Sequence, residues 1–232
     1  MASLVADWQP GSDSSLAYMI TSVMQQLGTQ DSICAIDEAG IRTAALHQWL
    51  DEKVGSAQPV CLLGTSLAFV HWFERLQQDN VNFRLPEGSR LMDTGGFKGA
   101  QISIGAAELR AQYHARLGIP EHLVINEYGM TEMLSQFYDA QLADPTQMLV
   151  KQGPPWVRSA VMDPETLRPL PAGATGLLRH YDIANLFSVS AIQTEDLAVM
   201  TDAGFQLLGR AGGAAPRGCS IAMDVFLSSA GR

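Results

Sequence analysis

The sequence has no surplus of basic residues. Its 232 residues include 15 Lys and Arg against 24 Asp and Glu, which gives a formal net charge of −9 at pH 7. Proteins that bind a nucleic-acid backbone do so largely by displacing its counterions with basic side chains. The composition therefore argues against nucleic acid as the main partner, whereas a single nucleotide needs only Mg²⁺ and a few local donors for its phosphates.

Cysteine and long apolar runs are also scarce. The three cysteines are Cys34, Cys61 and Cys219, and no two of them have the C-x-x-C spacing of a metal site. A small, odd number predicts a reducing compartment rather than a disulfide framework. The first residues lack a basic stretch followed by an apolar core, and no apolar run reaches the roughly 18 residues that cross a bilayer. We therefore predict a cytoplasmic protein with no signal peptide and no membrane span.

The first 145 residues alternate between short apolar runs and longer amphipathic segments. The composition, 47% hydrophobic and 17% charged, is that of a globular protein. Apolar runs predict strands at 32–36, 59–63, 90–93 and 123–125. Apolar residues at helical spacing predict helices at 14–27, 38–53, 67–78 and 105–117. This order predicts an α/β fold in which helices cover a largely parallel sheet.

Prolines and glycines become frequent after about residue 145, and the apolar runs shorten. Strands are predicted at 157–162, 176–181, 186–192, 197–201 and 205–208. Turn sequences separate them, such as Asp-Pro-Glu-Thr at 163–166. We therefore predict that a β-rich antiparallel subdomain follows the α/β part, with the two regions at 1–145 and 146–232.

Polar and glycine-rich residues follow two of the predicted parallel strands. The stretch 93–99 reads Asp-Thr-Gly-Gly-Phe-Lys-Gly, and the stretch 126–132 reads Asn-Glu-Tyr-Gly-Met-Thr-Glu. In open α/β sheets, ligands bind at the carboxyl ends of strands. One ligand that touches both stretches is the functional interpretation. The alternative is a tight loop and a polar strand–turn corner, after which residues 133–138 could begin a helix.

The second of these stretches carries varied chemistry. The ring of Tyr128 can stack on a flat ligand, and Gly129 lets the backbone approach a ligand closely. The hydroxyl of Thr131 can donate to a phosphate, and the carboxylate of Glu132 can hold Mg²⁺. These residue types together suit a ligand site at the end of a strand, and a corner with surface polar residues is an equal alternative.

The β-rich region adds three further candidate residues. The carboxylate of Asp196 can accept hydrogen bonds from two vicinal ribose hydroxyls, and Arg210 can fork onto a phosphate or ribose oxygen. The alternative for these two is a surface ion pair at a turn. Cys219 lies close to an arginine, and a neighbouring cation favours the reactive thiolate. Cys34 and Cys61 lie in apolar strands and are expected to be buried, so Cys219 is the best nucleophile candidate.

Four motifs in this order resemble the adenylate-forming superfamily, which includes acyl-CoA synthetases, phenylacetate-CoA ligases and firefly luciferase. The motifs are Asp93-Thr94-Gly95-Gly96, Tyr128-Gly129-Met130-Thr131-Glu132, Thr194-Glu195-Asp196 and Leu208-Gly209-Arg210. Within the superfamily, the chain most resembles the LuxE-type acyl-protein synthetases, because its tail carries Pro216-Arg217-Gly218-Cys219-Ser220. The resemblance covers most of the chain, from about Ser14 onward.

The resemblance implies an ATP-dependent ligase. Such an enzyme joins a fatty acid, or another carboxylic acid, to ATP in the presence of Mg²⁺ and gives acyl-AMP and pyrophosphate. It then moves the acyl group to an internal cysteine and from there to a partner reductase of a bioluminescence-related complex. On this resemblance, residues 1–145 bind the nucleotide and the acyl group. Residues 146–232 carry the ribose-binding motifs and the acceptor cysteine.

The resemblance also implies a set of site residues. Those expected at the nucleotide are Gly95, Gly96, Phe97, Tyr128, Gly129, Thr131, Asp196 and Arg210. Among them, Tyr128 is expected to stack on the adenine and Asp196 to bind the ribose hydroxyls. Glu132 is expected to hold Mg²⁺. The catalytic roles fall to Thr131, Arg210 and Cys219, and the last of these is the expected acyl acceptor.

Two features depart from the superfamily's pattern. Its Ser/Thr/Gly-rich phosphate loop is missing, since residues 11–15 are only a faint echo, and so is its small carboxyl-terminal domain with a catalytic lysine. The missing loop predicts a fragment, a truncated reading frame or half of a split enzyme, and an upstream polypeptide or a homo-oligomer is among the expected partners. The missing carboxyl-terminal domain fits the acyl-protein branch and argues against a CoA ligase. Two alternatives stay open: a phenylacetate-CoA-ligase-like aryl- or acyl-CoA ligase, and a non-catalytic domain that binds a nucleotide or a partner.

Overall fold

The computed structural model describes residues 1–95, 104–142, 144, 146 and 149–212 of the chain. Within these ranges the chain forms two compact units, Met1–Asn126 and residues 127–212. The division falls inside a strand and lies earlier than the change in composition. The division of the chain into regions 1–145 and 146–232, each with its own binding role, stays a prediction.

The first unit alternates strands with helices. Its strands are β1 (Ala2–Leu4), β2 (Ile33–Cys34), β3 (Ile36–Asp37), β4 (Gly40–Ile41), β5 (Cys61–Thr65) and β6 (Arg90–Thr94). Its α-helices, among the described residues, are α1 (Ser15–Leu27), α2 (Thr43–Gly55), α3 (Ser66–Gln78) and α4 (Ala106–Leu117). A further strand, β7 (Val124–Tyr128), begins in this unit after a short 3₁₀ turn.

Four of these strands form a parallel sheet in the order β2-β1-β5-β6. Parallel neighbours require a long crossover connection, and the helices supply it. The strand β1 has only three residues, so no apolar pattern predicted it. The prediction of a helix-covered, largely parallel sheet is confirmed for this unit.

The helix ends follow local chemistry. The hydroxyl of Ser14 accepts a hydrogen bond from the N–H of Ala17 and caps α1, and that of Thr65 does the same for α3. Helix α4 ends at Gly118, whose φ of +73° is the left-handed conformation that glycine adopts readily. No α-helix in the described ranges is long and apolar enough to cross a bilayer.

The core of this unit lies on both faces of the sheet because side chains alternate along a strand. Leu62 belongs to one cluster, which contains the buried aromatic residues of α3 and residues of α2 and α4. Its neighbour Leu63 belongs to a second cluster with Leu16 and Ile20 of α1. Helices therefore pack against both faces of the same strands.

The second unit is a sheet of antiparallel strands. Its members, after the end of β7, are β8 (Phe137–Asp139), β9 (Val150–Gln152), β10 (Val157–Met162), β11 (Thr175–Asp182), β12 (Ala191–Thr201) and β13 (Gly204–Arg210). The strand order is β10-β11-β12-β13-β9-β8-β7. Neighbouring pairs are antiparallel, as the hairpin-rich composition predicts.

Three element predictions are wrong. Residues 133–138 begin no helix, because Phe137–Asp139 pairs with β7 as a strand. Residues 186–190 form no strand, since β12 begins only at Ala191 and the side chains of Leu186 and Phe187 point into solvent. Helix α2 begins at Thr43 rather than near residue 38, because the preceding residues form the two-stranded β3–β4 ribbon.

Two glycines offer a matched test of packing in the first unit. A Cβ added at Gly64 of β5 would lie 2.9 Å from Cε2 of Phe69 and 3.1 Å from Cβ of Leu4. We expect Gly64→Ala to lower the free energy of unfolding by about 1–3 kcal/mol, the cost of overpacking a core. At Gly55, the last residue of α2, nothing lies within 4 Å of an added Cβ. Gly55→Ala should therefore raise the unfolding free energy by about 0.4–1 kcal/mol.

Urea denaturation of the two variants beside the unmodified protein measures both values. Equal effects of the two substitutions would contradict the close packing of β5 against α3.

Candidate functional site

In the first unit, a buried carboxylate lies at the carboxyl end of β6. Asp93 is 5% exposed. Its Oδ2 accepts hydrogen bonds from Oγ of Ser66 at 3.0 Å and from Oη of Tyr113 at 2.8 Å. Its Oδ1 accepts from Nδ2 of Asn126 at 2.8 Å. Three donors from α3, α4 and β7 thus converge on one side chain and fix the strand end that carries the first glycine motif.

The same network orders the beginning of that motif. Oγ of Ser66 lies 3.4 Å from the carbonyl oxygen of Gly95, and Gly95 has a φ of +81°. Burial raises the pKa of Tyr113 well above its usual range, and the charge of Asp93 adds to this, so the phenol remains a donor. Gly95 is exposed at the strand end, and its predicted place beside the adenine stays a prediction. Gly96 and Phe97 lie outside the described residues.

In the second unit, Tyr128, Asp196 and Arg210 come together. Oη of Tyr128 donates to Oδ2 of Asp196 at 2.8 Å. Nη1 of Arg210 lies 3.6 Å from Oδ1 of the same carboxylate, and its Nη2 pairs with Glu195. Asp196 and Arg210 are register partners on β12 and β13. The carboxylate of Asp196 is therefore part of a buried cross-strand network rather than of a surface ion pair at a turn.

The ring of Tyr128 lies among other rings. Its centroid is 5.9 Å from that of Phe137, 5.8 Å from that of His180 and 5.8 Å from that of Phe205. Burial raises the pKa of Tyr128 far above its usual value, and the charge of Asp196 acts in the same direction. The phenol is thus a permanent donor to Asp196. The predicted stacking of this ring on adenine stays a prediction.

Thr131 and Glu132 lie on a tight turn between β7 and β8. The N–H of Met133 donates to the carbonyl oxygen of Met130 at 3.1 Å and closes the turn. The side chains of Thr131 and Glu132 are both exposed. Just before the turn, a Cβ at Gly129 would lie 2.5 Å from Oε1 of Glu127, so only glycine fits there without rearrangement. The predicted hydroxyl and carboxylate are therefore presented side by side to solvent.

Two residues that the sequence did not single out hold this turn. Asp182, at the end of β11, accepts hydrogen bonds from the N–H groups of Leu134 and Ser135 at 3.2 and 3.1 Å. Asn185 donates from Nδ2 to the carbonyl oxygen of Glu132 at 2.6 Å. Both are buried polar residues in a stretch that is otherwise apolar, Ile-Ala between them and Leu-Phe after them. Polar residues in an apolar stretch could have marked them in the sequence. The turn that they contact, however, lies more than forty positions away in the chain.

An open groove runs beside the turn, with a volume of about 750 Å³. Apolar side chains contribute much of its wall, among them Leu134, Tyr138, Pro154 and Trp156. Nε1 of Trp156 donates to Oγ of Ser135 at 3.0 Å, which fixes the indole at the groove's edge. The volume lies in the range that holds small-molecule ligands.

The two described cysteines are poor nucleophiles. Burial raises the pKa of the thiols of Cys34 and Cys61, and neither forms a disulfide. Cys219, the predicted acyl acceptor, lies outside the described residues. Its role stays a prediction. The raised pKa values of Cys34 and Cys61 make it testable, because they favour selective labelling of Cys219.

Within the described ranges, no three His, Cys, Asp or Glu side chains cluster closely enough to hold a metal ion. Glu132 is therefore not part of a protein-built metal cage there. A carboxylate that shares Mg²⁺ with substrate phosphates needs no such cage, because Mg²⁺ commonly keeps waters and binds through one or two carboxylates plus phosphates.

Parallel strands with helices, followed by antiparallel strands, give this chain the fold of the adenylate-forming enzymes. A 2-hydroxyisobutyryl-CoA ligase solved with 2-HIB-AMP and CoA matches 94% of this chain and 50% of its own, with a TM-score of 0.62 and 18% identity. ATP-bound MatB from Rhodopseudomonas palustris matches 90% of this chain and 40% of its own, with a TM-score of 0.55 and 16% identity.

A narrower assignment comes from the sequence family. The model of the acyl-protein synthetase family, LuxE, matches residues 22–228, so the chain belongs to that family. A long-chain-fatty-acid–luciferin-component ligase from Aliivibrio fischeri is 21% identical in an alignment of 179 positions, which covers 72% of this chain and 46% of the relative. The chain thus spans about half the length of the curated relative it matches.

The buried His180 makes the second unit sensitive to acid. Burial lowers the pKa of His180 to about 4 from the ordinary 6.5, although the charges of Asp196 and Asp182 oppose this. Between these two values the unfolded chain binds a proton that the folded protein does not, so stability falls as the pH falls. We expect the protein to lose about 2 kcal/mol of unfolding free energy between pH 7.5 and pH 5 through this residue alone.

The measurement is urea denaturation at both pH values for the unmodified protein and for His180→Gln, whose amide can still bond Oγ of Ser159, the present partner of Nδ1. The variant should lose about 2 kcal/mol less than the unmodified protein over this interval. An equal loss in both proteins would show that His180 titrates normally.

Proposed function

We propose that this chain is the nucleotide-binding part of an acyl-protein synthetase, which activates a fatty acid with ATP and passes the acyl group to a thiol. The observation that carries the proposal is the rigid, exposed pair of Thr131 and Glu132 in a chain of the LuxE family. A hydroxyl and a carboxylate side by side suit a phosphate and its Mg²⁺. The relative from Aliivibrio fischeri is by its name a ligase for long-chain fatty acids, which supports this acid as the substrate class.

The chemistry needs a leaving group on the acid. A carboxylate oxygen attacks the α-phosphorus of ATP, the bond to the β-phosphate oxygen breaks, and pyrophosphate leaves. Mg²⁺, when bound, offsets the charge that develops on the phosphates. In this proposal Glu132 holds that ion together with the phosphates, and Thr131 donates to a phosphate oxygen. Neither side chain has to move to reach solvent, since both are exposed.

The Tyr128–Asp196–Arg210 network supports a nucleotide site in the second unit. Carboxylates take up ribose hydroxyls and guanidinium groups take up phosphate or ribose oxygens. Asp196 is only 5% exposed, and its two oxygens already contact Tyr128 and Arg210. Nε of Arg210 is buried and has no hydrogen-bond partner in the described part of the chain. A ligand oxygen could accept a hydrogen bond from it.

The groove beside the turn is the proposed place of the acyl chain. Its apolar wall of Leu134, Tyr138 and Trp156 suits a hydrocarbon, and it adjoins the turn that carries Glu132.

The second half-reaction is proposed to use Cys219. Its thiolate would attack the acyl carbonyl, the bond to the phosphate oxygen would break, and AMP would leave. The acyl group would then pass to a partner reductase.

A binding experiment tests the role of Glu132. Isothermal titration of Mg·ATP into the protein should give an affinity that Glu132→Gln weakens at least about 10-fold, the loss typical even of outer-shell partners of a metal. Glu165→Gln, an exposed glutamate in the turn after β10, is the matched control and should bind as the unmodified protein does.

A chelator distinguishes the contribution of metal binding from that of phosphate binding. With EDTA present, Glu132→Gln should bind ATP no more weakly than the unmodified protein, because the neutral amide no longer repels the phosphates. A loss of the same size with and without Mg²⁺ would remove the metal-binding role from Glu132.

A labelling experiment tests the acyl acceptor. Incubation with the adenylate of tetradecanoic acid, followed by peptide mass spectrometry, should place the acyl group on Cys219 in the folded protein alone. The raised pKa values of these two partly buried thiols predict less adduct on Cys34 and Cys61 than on Cys219. Cys219→Ala and urea-denatured protein are the controls.

Each other outcome favours one alternative. Transfer to added CoA in preference to Cys219 would favour the CoA-ligase interpretation. Adducts on none of the cysteines and no transfer to CoA would favour the non-catalytic interpretation.

A further inference from the structure

The turn that carries Thr131 and Glu132 is held by a segment that no sequence motif assigned. We infer that Asp182 and Asn185 are positioning residues that fix this turn so that its hydroxyl and carboxylate meet Mg²⁺ and phosphate together. This inference rests on the proposed function and adds to it the device that sets the geometry of the site.

Asp182 and Asn185 together form what we call the clamp, and Asp182 supplies its first half. Its side chain is 1% exposed. Oδ2 accepts from the N–H groups of Leu134 and Ser135, and Oδ1 accepts from Oγ of Ser135 at 3.0 Å. Oδ1 also accepts from the N–H of Ala184 at 3.0 Å. A buried carboxylate with four donors is tightly held, so the backbone just after Glu132 has one position.

Asn185 supplies the second half. It is 5% exposed, and its single amide nitrogen donates to the carbonyl oxygen of Glu132 at 2.6 Å and to that of Val189 at 2.9 Å. Fixing the carbonyl of Glu132 fixes the plane of the peptide that follows it. The peptide between Glu132 and Met133 is therefore held at both ends, because its carbonyl accepts from Asn185 and its N–H donates to the carbonyl oxygen of Met130.

The pattern of contacts points to positioning rather than to stability alone. The bonds that Asp182 and Asn185 form with the turn go to backbone groups of Glu132, Leu134 and Ser135 and to the hydroxyl of Ser135. Both side chains stay exposed. A turn that is ordered before the ligand arrives loses less conformational entropy on binding. The clamp thus fixes the backbone beneath two side chains that are exposed to solvent.

The segment that carries the clamp is exposed beyond it. Ile183, Leu186, Phe187 and Val189 are 57–102% exposed, so the two polar anchors are what the segment buries. Its contacts with the turn thus depend on Asp182 and Asn185 more than on apolar packing. Removing one anchor is expected to loosen the turn without emptying the core.

The test uses Asn185→Asp in the full chain, which keeps the shape of the side chain but replaces the donor by a carboxylate oxygen. Hydrogen exchange followed by mass spectrometry, without nucleotide, should show faster exchange in residues 131–135 and unchanged exchange in β10–β13. Titration with Mg·ATP should show an affinity at least about 10-fold weaker, as for loss of an outer-shell partner. Urea denaturation confirms that the variant is folded.

Gln152→Glu is the matched control. Its Nε2 donates to the carbonyl oxygen of Ala203 at 2.8 Å, so the same amide-to-carboxylate change is made at another turn of the same unit. Exchange in residues 131–135 and the affinity for Mg·ATP should not change. Asp182→Asn is the second variant, in which an amide faces the N–H groups of Leu134 and Ser135; it should show the same two effects if it folds.

The two readouts separate the inference from the proposed function. Unchanged exchange in residues 131–135 of both variants would overturn the clamp, while Mg·ATP binding to the unmodified protein would still support the proposed function. Faster exchange with an unchanged affinity would overturn the positioning role. Faster exchange in a protein that binds no Mg·ATP in its unmodified form would reject the proposed function and, with it, the positioning role, and would leave a purely structural clamp.

Discussion

A carboxylate taken out of water must have its oxygens occupied by donors, and this constraint shapes the strand ends that matter in both units. Asp93 at the end of β6 is met by Ser66, Tyr113 and Asn126. Asp182 at the end of β11 is met by backbone N–H groups of the turn between β7 and β8 and by the N–H of Ala184. Each acid therefore draws segments that are distant in sequence to one point and holds them there.

The division of labour between buried and exposed groups follows from this. The acids that organise the backbone are buried and saturated with hydrogen bonds, whereas Thr131 and Glu132 are exposed on the turn. Asp196 is intermediate in character, because it is buried by Tyr128 and Arg210 but belongs to a motif that resembles a ribose site. A rigid frame with a few open polar groups is what a ligand site for charged phosphates requires.

The sequence predicted most elements whose signal is local. Strands and amphipathic helices of the first unit were predicted from apolar spacing, and the cap at Ser14 and the stop at Gly118 are local chemistry. The motif order also predicted the family, which the match over residues 22–228 confirms. Prediction failed at residues 133–138, where the hydrogen-bond partners are supplied from β11 and not from the next turn of a helix. It failed again at residues 186–190, where apolar residues stay exposed.

The sequence by itself determined the fold class, the family and the chemistry of the candidate residues. Apolar periodicity and the order of the motifs can both be read along the chain without knowledge of its packing. Only the tertiary structure decided which of those residues are open and which are buried, and which side chains support them. Asp182 and Asn185 show the reason: each is one polar residue in an apolar stretch, and its meaning depends on a turn roughly fifty residues earlier. A hydrogen bond has direction and short range, so its partner is set by three-dimensional packing and not by spacing along the chain.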